Sequence, residues 1–252
     1  MILLILFFFP IFAFGLIVES QNMACLLKYA DTNTLIVCDI DNTLIESALH
    51  MGSAQWRDHI RSKARKLGHS ENEIENILDK FWLFAQFFIP VRCVDPDTAS
   101  TLSKLQQSQS ILIALTAREP IEIAHTEKQL LSVNVDLSHS HFHTNSCSLP
   151  LPYPSVYDKG IVYCGENTKD AGLVAFFQKM KYSPQRVVFI DDRLEQLQRV
   201  ENALQGMGIE FIGIRFSGAD ARVEAFDPAV ADLQWSLLPT ILSDEEALNR
   251  LN

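Results

Sequence analysis

At 252 residues and 48% hydrophobic content, the chain is long enough for one core domain with a small insertion, and apolar enough to bury it. A formal net charge of −10 argues against a nucleic-acid partner, which needs a basic face. Five cysteines do not make a complete disulfide set, and their spacing is unlike a zinc ribbon.

Residues 2–18 are almost wholly apolar and stand ahead of everything else. They read as a secretory signal or an N-terminal anchor rather than as part of the fold. Pro10 and the borderline length favour a cleaved peptide over a spanning helix, and Val18-Glu19-Ser20 suits cleavage before Gln21. The expectation is therefore an exported protein, periplasmic or secreted, that contacts a membrane only if residues 1–20 are retained.

Leu35-Ile36-Val37 has the look of a short buried strand, and it runs into Cys38-Asp39-Ile40-Asp41-Asn42-Thr43. Strand side chains alternate faces, so Asp39 and Asp41 converge only if the strand ends near Asp39 and the chain turns. At the carboxyl end of a strand in an open α/β sheet they sit where ligands bind. Such a pair can supply a nucleophile and a proton donor. Next, residues 53–67 and 70–88 read as helices, the second opened by Ser70 and Glu73 as a capping box. Pro96-Asp97-Thr98-Ala99 starts another helix, and residues 121–131 form one more.

Between those two helices, Ile111 to Leu115 is a second apolar strand, ending in Thr116-Ala117-Arg118. Arg118 suits either a substrate contact or a pair with an acid at the rim. Residues 132–166 read as a strand, a long loop and another strand, in the manner of a hairpin. His139, His141 and His143 alternate there and would share one strand face, but no acid or thiol completes a Zn or Cu site. Cys147 and Cys164 flank the loop and could pair in an exported protein. Val187 to Ile190 is a third strand, ending in Asp191-Asp192-Arg193, and residues 209–216 a fourth. Parallel strands would bring the acids of the first and third runs to one edge beside Thr116. Acids so close repel one another, so a divalent cation is the natural partner, and hard oxygen ligands favour Mg²⁺.

The ordered set Asp39-Ile40-Asp41-Asn42-Thr43, Thr116, a lysine, and Asp191-Asp192 resembles the haloacid dehalogenase superfamily of Asp-nucleophile phosphohydrolases, over residues 34–215. The stretches from Leu49 to Trp56 and from Ile241 to Ala247 look like a small bacterial branch of it, often secreted or host-associated. The resemblance implies an α/β, Rossmann-like core: a parallel sheet flanked by helices, with a small helical cap inserted after the first strand. The core would be residues 21–45 and 92–252, and the cap residues 46–91, with Trp56, Trp82 and Phe88 as candidate lid residues.

It also implies roles. Asp39 matches the nucleophile that forms an aspartyl-phosphate, and Asp41 the general acid/base. Thr116 matches the phosphate-binding hydroxyl. Lys159, Lys169 and Lys181 are candidates for the lysine, and Lys169 is preferred because it opens an apolar helical stretch. Asp39, Asp191, Asp192 and the backbone carbonyl of Asp41 would hold Mg²⁺. The implied function is a phosphatase acting on a small phosphorylated substrate. A phosphotransferase, or a binding or effector protein with little turnover, is the alternative.

Overall fold

The computed structural model describes residues 15–108, 110–139, 142 and 146–251. Strand β1 (Leu16–Ser20) and a 3-10 turn (Met23–Tyr29) precede β2 (Thr34–Cys38). Then come β3 (Ile45–Ser47), helices α1 (Ala54–Lys66) and α2 (Glu71–Phe88), and β4 (Val91–Cys93). Helix α3 (Thr98–Gln107), β5 (Ile111–Thr116) and α4 (Ile123–Ser132) follow. Short strands β6 (Cys147–Ser148), β7 (Val156–Asp158) and β8 (Ile161–Tyr163) lead to α5 (Lys169–Met180). The chain continues through β9 (Arg186–Asp191), α6 (Leu194–Gln205), β10 (Glu210–Phe216), α7 (Asp220–Glu224), α8 (Pro228–Ser236) and α9 (Asp244–Leu251).

The main sheet has the order β1-β10-β9-β2-β5-β8-β7-β6. From β1 to β8 every pairing is parallel; β8, β7 and β6 close the far edge antiparallel. This is the expected α/β class. Strand β2 is covered on both faces. Ile36 and Cys38 pack with Leu102, Leu105 and Leu130 of α3 and α4. Leu35 and Val37 pack with Leu173, Phe176 and Leu197 of α5 and α6. Burial on both faces is why its sequence is a continuous apolar run rather than an alternating one. The turn from β7 to β8 has Lys159 at φ 44° and Gly160 at φ 85°, the conformation a two-residue hairpin loop requires.

Strands β3 and β4 pair antiparallel, Ile45 opposite Cys93, and carry α1 and α2 between them as an insertion. Helix α2 begins on the expected capping box of Ser70 and Glu73. Trp56 is buried at the centre of this insertion, together with Ala85, Ile89 and Ala231, against Phe81 and Trp235. Helix α8 thus packs on the insertion, although the sequence places residues 226–236 with the core. The two stretches of the narrower resemblance also meet. His50 N donates to Asp244 Oδ1 (2.9 Å), and Met51 N to Gln234 Oε1 (3.0 Å). Gln234 Nε2 in turn donates to Leu242 O (3.1 Å) and Asp244 Oδ1 (2.8 Å).

Three expectations need correction. Residues 16–20 are a strand of the sheet, in register with β10 from Leu16 opposite Ile212 to Ser20 opposite Phe216, so cleavage before Gln21 would remove an edge strand. An apolar run of that length reads alike for an export segment and a strand. Residues 1–14 lie outside the described residues, as do His141 and His143. His139 sits 3.5 Å from Asp136. Cys147 and Cys164 are both free thiols: Cys147 lies on β6, while Cys164 is buried beneath α5. Trp56 fills the middle of the insertion and belongs to its core, whereas Phe88 is partly exposed, its ring tilted against that of Phe84 at 5.0 Å.

Candidate active site

The site is built where three neighbouring strands end. Cys38 pairs with Ile190 on one side and Ala114 on the other, which sets Asp39 beside Asp191 and Thr116 one strand away. Asp39 N still donates to Ile190 O (2.9 Å), so the strand stops at Asp39. The chain then coils back. Leu44 N and Ile45 N both donate to Ile40 O, and Asn42 takes a φ of 58°. Asparagine accepts that left-handed conformation better than most residues.

Lys169, the first residue of α5, points into this edge and is almost fully buried. Its Nζ lies 2.6 Å from Asp39 Oδ1 and 2.7 Å from Asp191 Oδ2. Gly172 lets α5 come this close, since a Cβ there would collide with the Cys164 sulfur. Lys159, by contrast, is exposed and pairs with Glu127. Asp192 N donates to Thr43 Oγ1 (3.1 Å), which locks the turn after β9 onto the turn after β2. Asn42 Nδ2 approaches Asp192 Oδ2 at 3.5 Å, and Thr43 Oγ1 approaches Asp39 Oδ2 at 3.5 Å. The motif's sequence assigned no part to either Asn42 or Thr43.

One oxygen each from Asp39, Asp191 and Asp192 lies within 4.8 Å of the others. Three carboxylates thus face one ammonium, an imbalance that burial makes costly. Burial lifts the Asp39 carboxyl well above its usual range; Lys169 counters this, while Asp191, Asp192 and Asp41 push it further up. Burial and the Asp191 charge raise Asp192 to about 6, against the pull of Lys169, Asn42 and Arg193. Lys169 is held charged: burial works against it, but Asp191 and Asp39 outweigh burial. A hard-oxygen donor set with one ammonium for three carboxylates fits a cation such as Mg²⁺.

Asp41 turns away from the cluster. Its two oxygens accept from Arg118 Nε (2.9 Å) and Arg118 Nη2 (2.7 Å), a bidentate pair. Burial would raise the Asp41 carboxyl, but the Arg118 charge and its hydrogen bonds bring it below its usual range, helped by Lys169 and Arg57. Of the two parts open to Arg118, the structure shows the ion pair. The Asp41 carboxylate is not among the clustered oxygens, so a metal role for this residue rests on its backbone carbonyl. Thr116 is buried, and its Oγ1 accepts from Arg118 N (3.1 Å). Arg193 lies at the rim, 3.9 Å from Glu195.

Sequence reasoning missed the buried polar residues behind Arg118. Arg118 Nη1 donates to Thr126 Oγ1 (3.0 Å) and Gln129 Oε1 (2.7 Å). Trp82 Nε1 donates to Glu122 Oε1 (2.8 Å), which ties the insertion to the segment after β5. On a helix these polar residues look like any solvated ones, and no signal in one sequence separates them.

An α/β domain with a carboxylate–lysine cluster at its strand ends and a helical insertion between β3 and β4 is the class that fold and site define. Residues 19–248 match the family described as "Protein of unknown function (DUF2608)", and the chain belongs to that family. It is similar to a "Putative outer membrane protein" of Chlamydia muridarum, 26% identical over 228 residues, covering 90% of this chain and 85% of the relative. A protein of the same description from Chlamydia trachomatis is 24% identical over 227 residues, covering 90% and 85%. Among solved structures, a hydrolase of the haloacid dehalogenase-like family from Streptococcus pneumoniae aligns with a TM-score of 0.45 and 14% identity, covering 76% of this chain and 98% of that one. Among the described residues, no helix is long and apolar enough to cross a membrane.

Proposed function

We propose that this chain is a Mg²⁺-dependent phosphatase of the haloacid dehalogenase superfamily, acting on a small phosphomonoester. The observation that carries the reading is Lys169 between Asp39 and Asp191, with Asp192 and the Asp41–Arg118 pair beside them. As a nucleophile Asp39 must be ionised, and Lys169, together with a bound cation, would supply the positive charge that keeps it so. Asp39 attacks phosphorus, and the bond to the leaving oxygen breaks as an aspartyl-phosphate forms. Asp41, held ionised by Arg118, accepts a proton from the water that hydrolyses the acyl-phosphate, and that proton then serves the leaving oxygen of the following turnover. Lys169 offsets negative charge on the phosphoryl oxygens, and Thr116 offers them its hydroxyl proton. Asp39, Asp191, Asp192 and the backbone carbonyl of Asp41 would hold Mg²⁺, which when bound supplies positive charge to the transferring phosphoryl group. The described relatives' names, together with the apolar sequence of residues 2–14, support an exported location.

The test is hydrolysis of an aryl phosphate by the full chain, with Mg²⁺ and with EDTA. Turnover should need the metal and fall on the order of 10³-fold or more in Asp39→Asn, since removing a nucleophile removes the covalent route. Equal turnover in the variant would end the reading. Mass spectrometry of the mature N-terminus from whole cells tests the location.

A further inference from the structure

Asp41 sits at one end of a line of hydrogen bonds that begins on the helical insertion. Gln86, on α2, donates from Nε2 to Gly52 O (3.4 Å). Gln86 Oε1 accepts from Gln129 Nε2 (2.6 Å), and Gln129, on α4, accepts at Oε1 from Arg118 Nη1 (2.7 Å). Arg118 then grips both oxygens of Asp41. Gln86, Gln129 and Arg118 are all buried.

The chemistry gives this line a single direction. Arg118 has only donors, so Gln129 must present its oxygen to it. The Gln129 amide NH₂ then faces Gln86, which must answer with its own oxygen. That leaves the Gln86 NH₂ to find an acceptor, and Gly52 O lies there. Displacing α2 would strand a buried donor on Gln129, which is costly. The Trp82–Glu122 bond joins the same two regions without entering the line.

We propose that Gln86 and Gln129 are positioning residues that couple the seating of the helical insertion on the core to the placement of Asp41, through Arg118. This rests on the reading of Asp41 as the general acid/base. The Asp41 position seen here is then held only while the insertion is seated on the core.

The first test is a double-mutant cycle on the full chain, with an aryl phosphate and Mg²⁺. Gln86→Leu should lower kcat about 10-fold with KM within about twofold, the pattern of a group that acts only in the transition state. Arg118→Lys, which cannot form the bidentate pair, should lower kcat further, and adding Gln86→Leu to it should cost nothing more. Arg65→Ala, at the surface of the insertion and paired with Glu71, should instead add independently to Arg118→Lys. Additive losses for Gln86 and Arg118 would overturn the coupling.

The second test needs no turnover. In Asp41→Ala, amide hydrogen exchange should quicken at least about threefold in the α2 turns around Gln86, because coupling is reciprocal. Unchanged exchange in α2 would overturn the proposal. Faster exchange in a protein that hydrolyses no phosphate ester would keep the coupling and discard the phosphatase.

Discussion

Around Asp39, titratable groups pack against one another inside the protein; in the helical insertion, charged groups stay outside and rings fill the middle. Lys169 meets two buried carboxylates at 2.6 and 2.7 Å. The insertion sets Trp56 against Trp235 at 5.4 Å and Phe81 against Trp235 at 4.8 Å. Its ion pairs, such as Arg65–Glu71 and Lys63–Asp232, lie at the surface. The difference separates what the two regions are for. Rings stabilise at no electrostatic cost, whereas a buried charge cluster is expensive, and such clusters gather at functional sites.

Lys169→Met gives the largest expected effect. Removing Nζ leaves Asp39 and Asp191 unbalanced, and breaking a buried pair this way costs about 3–5 kcal/mol. Urea unfolding in EDTA should show the loss, and Mg²⁺ should restore part of it. Aryl phosphate turnover should fall by about two orders of magnitude or more. Arg65→Ala, at the surface of the insertion, should leave the unfolding midpoint unchanged. Equal losses in the two variants would break the comparison. Trp56→Ala comes next. Emptying a fully buried Trp site costs about 3–5 kcal/mol, and amide exchange should quicken in α1, α2 and α8 but not in β2 or β9. Equal quickening in β2 would mean that the insertion and the core open as one unit.

How much of this was legible depends on the range of the interaction. The strands ending in Asp39, Thr116 and Asp191 were readable because buried parallel strands are short apolar runs, and acids at their ends stand out. That β2 lies between β9 and β5 is a long-range fact no local pattern carries; it makes neighbours of residues 39 and 191. Residues 16–20 were misread because an edge strand and the tail of an export segment share one composition. The packing of α8 on the insertion was missed because nine residues are too few to show which face is buried, or against what. The sequence leaves Arg118 between two parts because it does not show that Gln129 and Thr126 hold it toward Asp41.

The smallest expected effect is also the most graded, and it concerns Asp192. Its folded pKa is about 6, raised by burial and by the Asp191 charge, while an unfolded aspartate titrates near ~3.9. The sign follows from linkage. The folded state holds the proton more tightly than the unfolded state, so the contribution of Asp192 is fully present below the unfolded value and is lost as pH rises through about 6. Asp41 runs the other way: its folded pKa is depressed, so its contribution is present above the unfolded value and is lost as pH falls through the folded one. A raw stability curve mixes the two, but the difference between the native chain and Asp192→Asn reports Asp192 together with its upward push on Asp39, which acts in the same direction. In EDTA that difference should shift against the native chain between pH 4 and pH 6, a window set by the same two pKa values. With Mg²⁺ it should reverse, because a bound cation favours the ionised carboxylate. A difference that is flat in EDTA would mean that Asp192 shares neither the burial nor the repulsion of the cluster, and the charged edge would then be a lysine-bridged pair rather than a three-carboxylate site.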